Sequence, residues 1–387
     1  MKKNIKNLRR MDKLLFLVML LLVVIGVVMI FSASNVTSVL RYGKSPWNYF
    51  AKQLIWLFIS IIFFLVILFI DEKYHYPLTV VGLGIIFLLL LIVIFKGTYV
   101  NQTRGWLLLF NNKIGVQPSE MFKVAYILFA SMYYDKYKLK LTNPKYAFTP
   151  LIVGIIGTLL IAIQPDFGTA MVTGLIVLFI YYITPLPKRY KRNMTYLIAI
   201  SVVMGVLMYF SNTKVHNYFT KEQKKRFNLR GVCTEERFYT DGNQLCNSLI
   251  AFNNGGLFGK GLSNSSQKYL YLPESHTDFI FAIITEELGF IGAFLIILLY
   301  MVLLARMVMI GRKATKNSDA SLSYAVAFML FLHIFLNIGG ISLLVPLTGI
   351  PLPFLSYGGT NLIVNISAIA FIEKASVNSY KVKKRTT

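Results

Sequence analysis

The sequence predicts an all-α polytopic membrane protein with about ten transmembrane helices. Apolar residues make up 56% of its 387 positions, which is above the usual share for a globular protein. They cluster in blocks close to the ~20 residues that a helix needs to cross the hydrocarbon core. The blocks are apolar on all faces, which excludes a water-soluble core built from amphipathic helices.

The basic residues predict the orientation. They give a formal net charge of +24, but they lie in short groups between the apolar blocks, so a single nucleic-acid-binding patch is not expected. Loops rich in Lys and Arg stay on the cytoplasmic side, which places both basic termini there. The cytoplasmic groups between the termini are Lys136, Lys138, Lys140 and Lys145; Lys188, Arg189, Lys191 and Arg192; and Arg306, Arg312, Lys313 and Lys316.

The apolar blocks define ten spans within a single membrane domain that covers residues 1–387. An even number returns the chain to its starting side, as two cytoplasmic termini require. The first block is longer than the apolar core of a signal peptide and more spans follow, so we expect it to be retained. The spans lie near 14–31, 51–70, 77–95, 119–134, 149–163, 169–184, 195–210, 279–304, 321–345 and 358–375.

The remaining connections are then extracytoplasmic. They are 32–50, 96–118, 164–168, 211–278 and 346–357, of which 211–278, between helices 7 and 8, is the large one. Cys233 and Cys246 both fall in this loop. An oxidising milieu permits a disulfide there, which would stabilise the loop by ~3 kcal/mol; the alternative is a pair of reduced thiols.

Two polar motifs lie next to predicted spans. In QPSEMFK, Glu120 and Lys123 are three residues apart on one helical face and can pair, either as a structural ion pair or as part of a site. Upstream, Arg104 is either a snorkelling interfacial residue or a bidentate phosphate ligand. In QPDFGTA, Asp166 either caps the next helix or contacts a cation or a sugar.

Residues 339–361 contain three prolines and five glycines, which forbid a continuous helix. Non-helical backbone near membrane depth is tolerated where it is buried in protein or lines a cavity, so a functional cavity is expected here. His333 and Asn337 in the preceding span are expected to form interhelical hydrogen bonds.

The stretch LPESHTDFIFAIITEELG brings acidic groups to the edge of the eighth span and into it. Glu274, His276 and Asp278 lie at the outer mouth, and neighbouring helices can accommodate part of the Glu286–Glu287 pair. Asp278 either caps the helix or, beside Phe279 and Phe281, serves as a proton acceptor whose basicity is increased by desolvation.

These motifs together resemble the shape, elongation, division and sporulation (SEDS) family, whose members include FtsW, RodA and SpoVE. The resemblance covers essentially the whole chain. It rests on QPSEMFK, QPDFGTA, NGGLFGKGL, LPESHTDFIFAIITEELG and PLTGIPLPFLSYGG, in the order that the family has them.

The resemblance implies a peptidoglycan glycosyltransferase that polymerises lipid II into glycan strands at the outer face of the bacterial cytoplasmic membrane. It places the catalytic acid/base at Asp278. The implied partners are lipid II, the nascent glycan-lipid, a class B penicillin-binding protein, and other division or elongation proteins. Substrate binding is expected at Arg104, Glu120, Lys123, Asp166, Glu274, His276, Ser356 and Tyr357.

The chemistry implied by the resemblance needs one base and several positive charges. A single-step inverting transfer takes one hydroxyl proton, and the diphosphate leaving group needs charge neutralisation rather than a strong acid. Cationic side chains or a divalent cation, Mg²⁺ or Mn²⁺, would supply it; no organic cofactor is expected.

Departures from the family pattern affect the predicted branch. Thr348 stands where many division-type members carry lysine. SSQKYLYLPESHTDF resembles the division and sporulation members, whereas TGIPLPF also suits elongation members; we favour the division type. Two other functions stay open: a lipid II flippase, and a non-catalytic scaffold for a penicillin-binding protein.

Overall fold

The protein is described by a computed structural model that covers residues 10–100, 103–109, 114–211, 231–240 and 242–386. Each of the ten predicted spans coincides with a long helix in this part of the chain, which confirms the all-α polytopic fold class. The long helices are α1 (Lys13–Leu40), α2 (Asn48–Phe69), α3 (His75–Lys96), α4 (Pro118–Lys136), α5 (Pro144–Ile163), α6 (Phe167–Ile183), α7 (Lys188–Ser211), α10 (Ile280–Lys313), α11 (Asn317–Ile341) and α12 (Gly359–Thr386). Two shorter helices, α8 (Glu235–Phe238) and α9 (Asn243–Gly255), lie in the large loop, and single 3-10 turns occur at Glu72–Tyr74 and Lys138–Lys140.

Seven of the described helices are long and apolar enough to cross a membrane by themselves: α1, α2, α3, α5, α10, α11 and the first part of α12. Helix α6 is apolar but has only 17 residues. Helix α4 is nearly encased in protein, with most side chains from Pro118 to Tyr134 buried, so protein surrounds its charged residues in place of lipid.

Several helix ends differ from the predicted spans. Helix α1 continues to Leu40, nine residues beyond the predicted end at 31, so the connection predicted as 32–50 shrinks to 41–47. Polar residues between Ser32 and Ser38 are buried in the protein. Hydropathy marks the part of a helix that faces hydrocarbon, and it therefore misses a polar helical end that packs against protein.

The connection 96–118 contains a small antiparallel sheet that is not evident from the hydropathy pattern. Its strands are β1 (Thr98–Val100), β2 (Thr103–Leu109) and β3 (Ile114–Val116), in the order β1-β2-β3. The β-branched and aromatic residues of TYV, TRGWLLL and IGV suit strands, but runs this short give a weak signal.

The described N-terminal residues and the end of α12 meet at one end of the bundle, which we call the inner end. The Asp12 backbone N–H donates to Glu373 Oε2 over 2.7 Å, and Arg306 forms a salt bridge with the Asp12 carboxylate. A second inner salt bridge joins Lys316 to Glu72. This shared end agrees with the prediction that both termini lie on one side of the membrane; the opposite end is called the outer end.

Helix α10 is broken near its outer end, where Gly289 adopts φ 70° and ψ −175°. The segment 255–261 of the large loop packs against the break. Backbone N–H groups of Lys260 and Gly261 donate to the carbonyls of Glu286 and Glu287, each over 3.0 Å. The N–H groups of Phe290 and Ile291 donate back to the loop. The loop thus satisfies backbone groups that the break releases.

The cysteine pair in the large loop is oxidised. Cys233 and Cys246 form a disulfide across a separation of 13 residues. Cys246 belongs to α9, so the bridge fixes the start of the described part of the loop to this helix. Residues 212–230 and 241 of the predicted loop lie outside the described residues.

Candidate active site

The outer mouth of α10 is formed by a tight turn, residues 272–279. Glu274 adopts a positive φ of 57°, and its carbonyl accepts from the N–H groups of Thr277 and Phe279. Helix α10 begins at Ile280 with Phe279 at the N-cap position. Asp278 therefore directly precedes the N-cap position.

Three successive carbonyl groups of this turn are held in place. The His276 carbonyl accepts from the Tyr357 N–H over 2.9 Å. The Thr277 carbonyl accepts from Ser356 Oγ over 2.7 Å, and that of Asp278 accepts from Asn337 Nδ2 over 2.8 Å. These contacts come from the 346–358 loop and from α11, and together they fix the orientation of the turn.

The Asp278 carboxylate faces the 346–358 loop. Gly349 has φ 70°, and a Cβ built there would lie 3.5 Å from Asp278 Oδ2. Asn337 Nδ2 also donates to the Ile350 carbonyl over 2.8 Å. The Asn337 side chain therefore binds both the turn, at Asp278, and the 346–358 loop, at Ile350. The interhelical role predicted for Asn337 becomes a link between α11, the loop and the turn.

Helix α6 meets the same loop through its first turn. A Cβ at Gly168 would approach the Thr348 carbonyl oxygen to 2.7 Å, so glycine permits the close contact. Asp166 caps the helix, since its Oδ1 accepts from the Thr169 N–H over 3.2 Å. Its Oδ2 accepts from Gln117 Nε2 over 3.1 Å, so it also joins the QPDFGTA and QPSEMFK segments.

Arg104 is engaged at the end of α3. Its Nη2 donates to the Phe95 carbonyl over 2.8 Å and its Nε to the Gly97 carbonyl over 3.1 Å. Cations near helix C-termini are stabilising, so these bonds support a structural role. Phosphate binding by Arg104 stays a prediction.

Glu120 and Lys123 form the predicted pair, 2.7 Å apart and both buried. His333 is a third member of this group, since its Nε2 lies 2.8 Å from Lys123 Nζ. His333 is one helical turn along α11 from Asn337, roughly 6 Å. The triad of Glu120, Lys123 and His333 therefore lies about one helical turn farther from the outer end than the contacts that hold Asp278.

Glu286 and Glu287 are occupied by the large loop. The Glu286 carboxylate accepts from Lys260 Nζ over 2.8 Å and from several groups of residues 254–267. Glu287 accepts from Ser32 Oγ over 2.7 Å and from Lys268 Nζ over 3.2 Å. The loop, more than the neighbouring helices, accounts for these two buried acids.

His276 of the same turn lies in an aromatic cluster with Tyr49 and Tyr357. Its ring centroid is 4.4 Å from that of Tyr49 and 5.6 Å from that of Tyr357. Burial lowers the pKa of His276 to about 4; Glu274 opposes the shift and Arg41 adds to it. Burial also raises the pKa of Tyr357 to about 12. Both groups are neutral at neutral pH.

The fold and this polar outer end define a class: a multi-pass α-helical membrane protein with a candidate carboxylate base at the mouth of one helix. A family model described as "Cell cycle protein", covering FtsW, RodA and SpoVE, matches residues 12–381. The chain belongs to this family and is a multi-pass protein of the cytoplasmic membrane.

Full-length relatives support the same assignment. The chain is 33% identical to "Probable peptidoglycan glycosyltransferase FtsW" of Bacillus subtilis, covering 96% of this chain and 92% of the relative. It is 33% identical to "Stage V sporulation protein E" of the same organism, covering 94% and 96%. The resemblance inferred from the motifs is therefore confirmed.

Solved structures share the fold. One chain of a structure described as "Structural coordination of polymerization and crosslinking by a peptidoglycan synthase complex" matches with a TM-score of 0.73 at 22% identity, covering 96% of this chain and 99% of that one. RodA of Thermus thermophilus matches with a TM-score of 0.66 at 22% identity, covering 96% and 98%.

Proposed function

We propose that this chain is a peptidoglycan glycosyltransferase that polymerises lipid II at the outer face of the cytoplasmic membrane, with Asp278 as its base. The observation that carries the proposal is the position of Asp278. The turn is held through three successive carbonyls, and the carboxylate faces the 346–358 loop at Gly349. The glycosyltransferase names of its full-length relatives support the reaction class.

The proposed reaction is one inverting displacement. Asp278 accepts the proton of the 4-hydroxyl of the acceptor sugar as that oxygen forms a bond to C1 of the donor sugar. The bond between C1 and the diphosphate oxygen breaks, and the lipid diphosphate leaves with the electron pair. Asp278 then releases its proton to water. A positioned base contributes roughly 10²–10⁴-fold to such a step.

Charge on the departing diphosphate must be neutralised. In the described residues no group of three or more His, Cys, Asp or Glu could hold a metal ion. We also propose a divalent cation, which would bind diphosphate oxygens and supply positive charge there, as Mg²⁺ often does.

The partner and the cellular role are also proposals. The "peptidoglycan synthase complex" among the structural matches supports a class B penicillin-binding protein as partner. Relatives named FtsW favour the division role over the elongation role.

The decisive test is polymerisation by purified protein with its partner and lipid II. The wild type should make glycan strands, and Asp278→Ala should make none while it keeps the same thermal unfolding profile and still binds the partner. Strands made by Asp278→Ala at the wild-type rate would overturn the assignment of the base.

A second assay separates polymerisation from transport. Labelled lipid II in the inner leaflet of proteoliposomes should stay in that leaflet when the wild-type protein is present. Rapid movement to the outer leaflet, without strand formation, would instead support the lipid II flippase.

A further inference from the structure

A second polar region lies at the outer end, where His276 of the 272–279 turn packs against Tyr49 and Tyr357. It lies between the connection from α1 to α2 and the loop that follows Tyr357. We name it the α1–α2 cluster and define it by residues that contact one another or lie within electrostatic range: Arg41, Tyr42, Lys44, Tyr49, Lys52, Glu274, His276 and Tyr357.

The α1–α2 cluster is positively charged, although Lys and Arg are usually enriched in cytoplasmic loops. Basic residues are disfavoured in outer connections, yet three lie close together here, Arg41, Lys44 and Lys52, and the chain has no Asp or Glu between residues 13 and 70. Glu274 is the one carboxylate among the defined members. The cluster therefore has an excess of positive charge at an outer surface, which favours an anionic ligand.

Aromatic rings connect these charges to the turn. Arg41 Cζ lies 5.7 Å and Lys44 Nζ 5.9 Å from the Tyr42 ring centroid. The Tyr42 ring is 6.3 Å from that of Tyr49, which is 5.0 Å from the ring of Tyr357. Interfacial anchors would direct their rings to lipid, whereas Tyr49 directs its ring into the protein.

A buried polar atom supports a ligand role for this region. His276 is only 5% exposed, and its Nδ1 is buried without a hydrogen-bond partner in the structure. A buried polar group without a partner is costly. Because the ring packs against Tyr49 and Tyr357, a hydroxyl group of a ligand bound in the cluster could satisfy this nitrogen.

We propose that the α1–α2 cluster is a second saccharide subsite, which binds the diphosphate and first sugar of one of the two lipid-linked substrates. The proposal rests on the proposed polymerase function. Arg41, Lys44 and Lys52 attract the diphosphate, and Tyr49 and Tyr357 provide aromatic surfaces for the sugar. The C1 of the donor and the 4-hydroxyl of the acceptor both still meet at the Asp278 carboxylate, two residues along the turn from His276.

The test compares saturation by lipid II in the wild type with that in Arg41→Ala and Tyr49→Phe, each with the partner present. Loss of a charge-assisted contact should raise the lipid II concentration for half-maximal rate roughly tenfold or more in Arg41→Ala, with the maximal rate little changed. Tyr49→Phe keeps the ring and should have a smaller effect. Lys96→Gln is the matched control, because Lys96 is an exposed cation at the outer end of α3 and should saturate like the wild type.

Two further arms identify the ligand. Polymerisation started from a preformed glycan-lipid distinguishes the growing strand from lipid II, because only the substrate bound in the cluster should show the altered saturation. Vesicles with and without phosphatidylglycerol test whether an ordinary anionic lipid occupies the cluster.

The proposal would be overturned if Arg41→Ala saturated like the wild type, or if removal of phosphatidylglycerol abolished the difference between them. Either result leaves the proposed polymerase function standing as long as the wild type makes strands and Asp278→Ala does not.

Discussion

Asp278 and the pair Glu286–Glu287 lie in one continuous stretch of chain, yet the structure holds them in different ways. The two glutamate carboxylates are bonded to the large loop and to Ser32. At Asp278 and the two residues before it, the bonds from α11 and the 346–358 loop reach the main chain, and the carboxylate faces Gly349.

This difference separates two uses of an acidic side chain at the outer end of α10. A buried carboxylate that anchors a loop must be paired with cations and hydrogen-bond donors, because burial of an uncompensated charge is costly. A carboxylate that moves a proton must be oriented and must also be reachable by a substrate. Main-chain anchoring of the turn orients Asp278 through its backbone.

The largest effect is expected when a carboxylate is replaced by the corresponding amide, first at Asp278 and then at Glu286. Asp278→Asn removes the base but keeps the shape, and should lower the polymerisation rate by roughly 10²-fold or more with unchanged thermal stability. Glu286→Gln should instead lower the unfolding temperature, while the rate per folded molecule stays within about a factor of a few of wild type. The comparison fails if both variants lose rate and keep stability.

The next effect concerns the buried pair of Lys268 and Glu287, which are 1% and 0% exposed. Glu287→Gln leaves the Lys268 ammonium buried without its counter-charge, and should reduce the free energy of unfolding by roughly 3–5 kcal/mol. The double variant Glu287→Gln with Lys268→Met should recover much of this loss. Denaturation in detergent measures all three free energies.

The matched control for this pair is at the inner end. Lys316 and Glu72 form a salt bridge with 45% and 42% exposure, so Glu72→Gln should cost less than ~1 kcal/mol. Equal losses at the two ends would show that burial of the outer pair is not what makes it important.

His276 offers a pH-dependent test of the turn. Burial lowers its pKa to about 4, with Glu274 opposing and Arg41 adding, whereas an unfolded histidine titrates near 6.5. Between these values the unfolded state binds more protons, so stability is complete above about pH 6.5, declines as the pH falls toward about 4, and levels off below it. The upper limit of the loss is about 3 kcal/mol.

The measurement is thermal unfolding of wild type and His276→Gln across this pH range. Carboxylates titrate near pH 4 in both proteins, so the difference between the two curves isolates the histidine. Glu274, Arg41, Tyr49 and Tyr357 surround the ring and are unchanged in the variant. If the unfolding temperatures of the two proteins changed equally with pH, the His276 imidazole would not be buried as a neutral group.

The sequence predicted the ten helices because membrane spans are decided by local composition. It predicted helix ends less well, since protein packing sets them, as at Leu40. The motif resemblance places the proposed base at Asp278, and that assignment stays a prediction. The contact of Lys123 with His333 joins residues 210 positions apart, and the loop pairing at Gly289 exchanges hydrogen bonds between distant segments. No single-sequence pattern specifies such contacts.

The smallest effect is expected from Ser356, whose predicted role was substrate binding. Its Oγ donates to the Thr277 carbonyl over 2.7 Å and accepts from the Leu352 N–H over 2.8 Å. Ser356→Ala removes both bonds, each worth about 1 kcal/mol, and so loosens the turn. The maximal polymerisation rate should fall several-fold while the lipid II concentration for half-maximal rate stays constant.

Ser342 supplies the control for Ser356, because its Oγ donates to the Ile338 carbonyl within the end of α11. Ser342→Ala should change neither kinetic quantity by more than about twofold, since it removes one local bond of modest net worth. If Ser356→Ala raised the half-saturating concentration and left the maximal rate intact, Ser356 would contact substrate, as its motif suggested. Main-chain anchoring would then lose one of its three supports, and the contrast with Glu286 and Glu287 would rest on Asn337 and Tyr357.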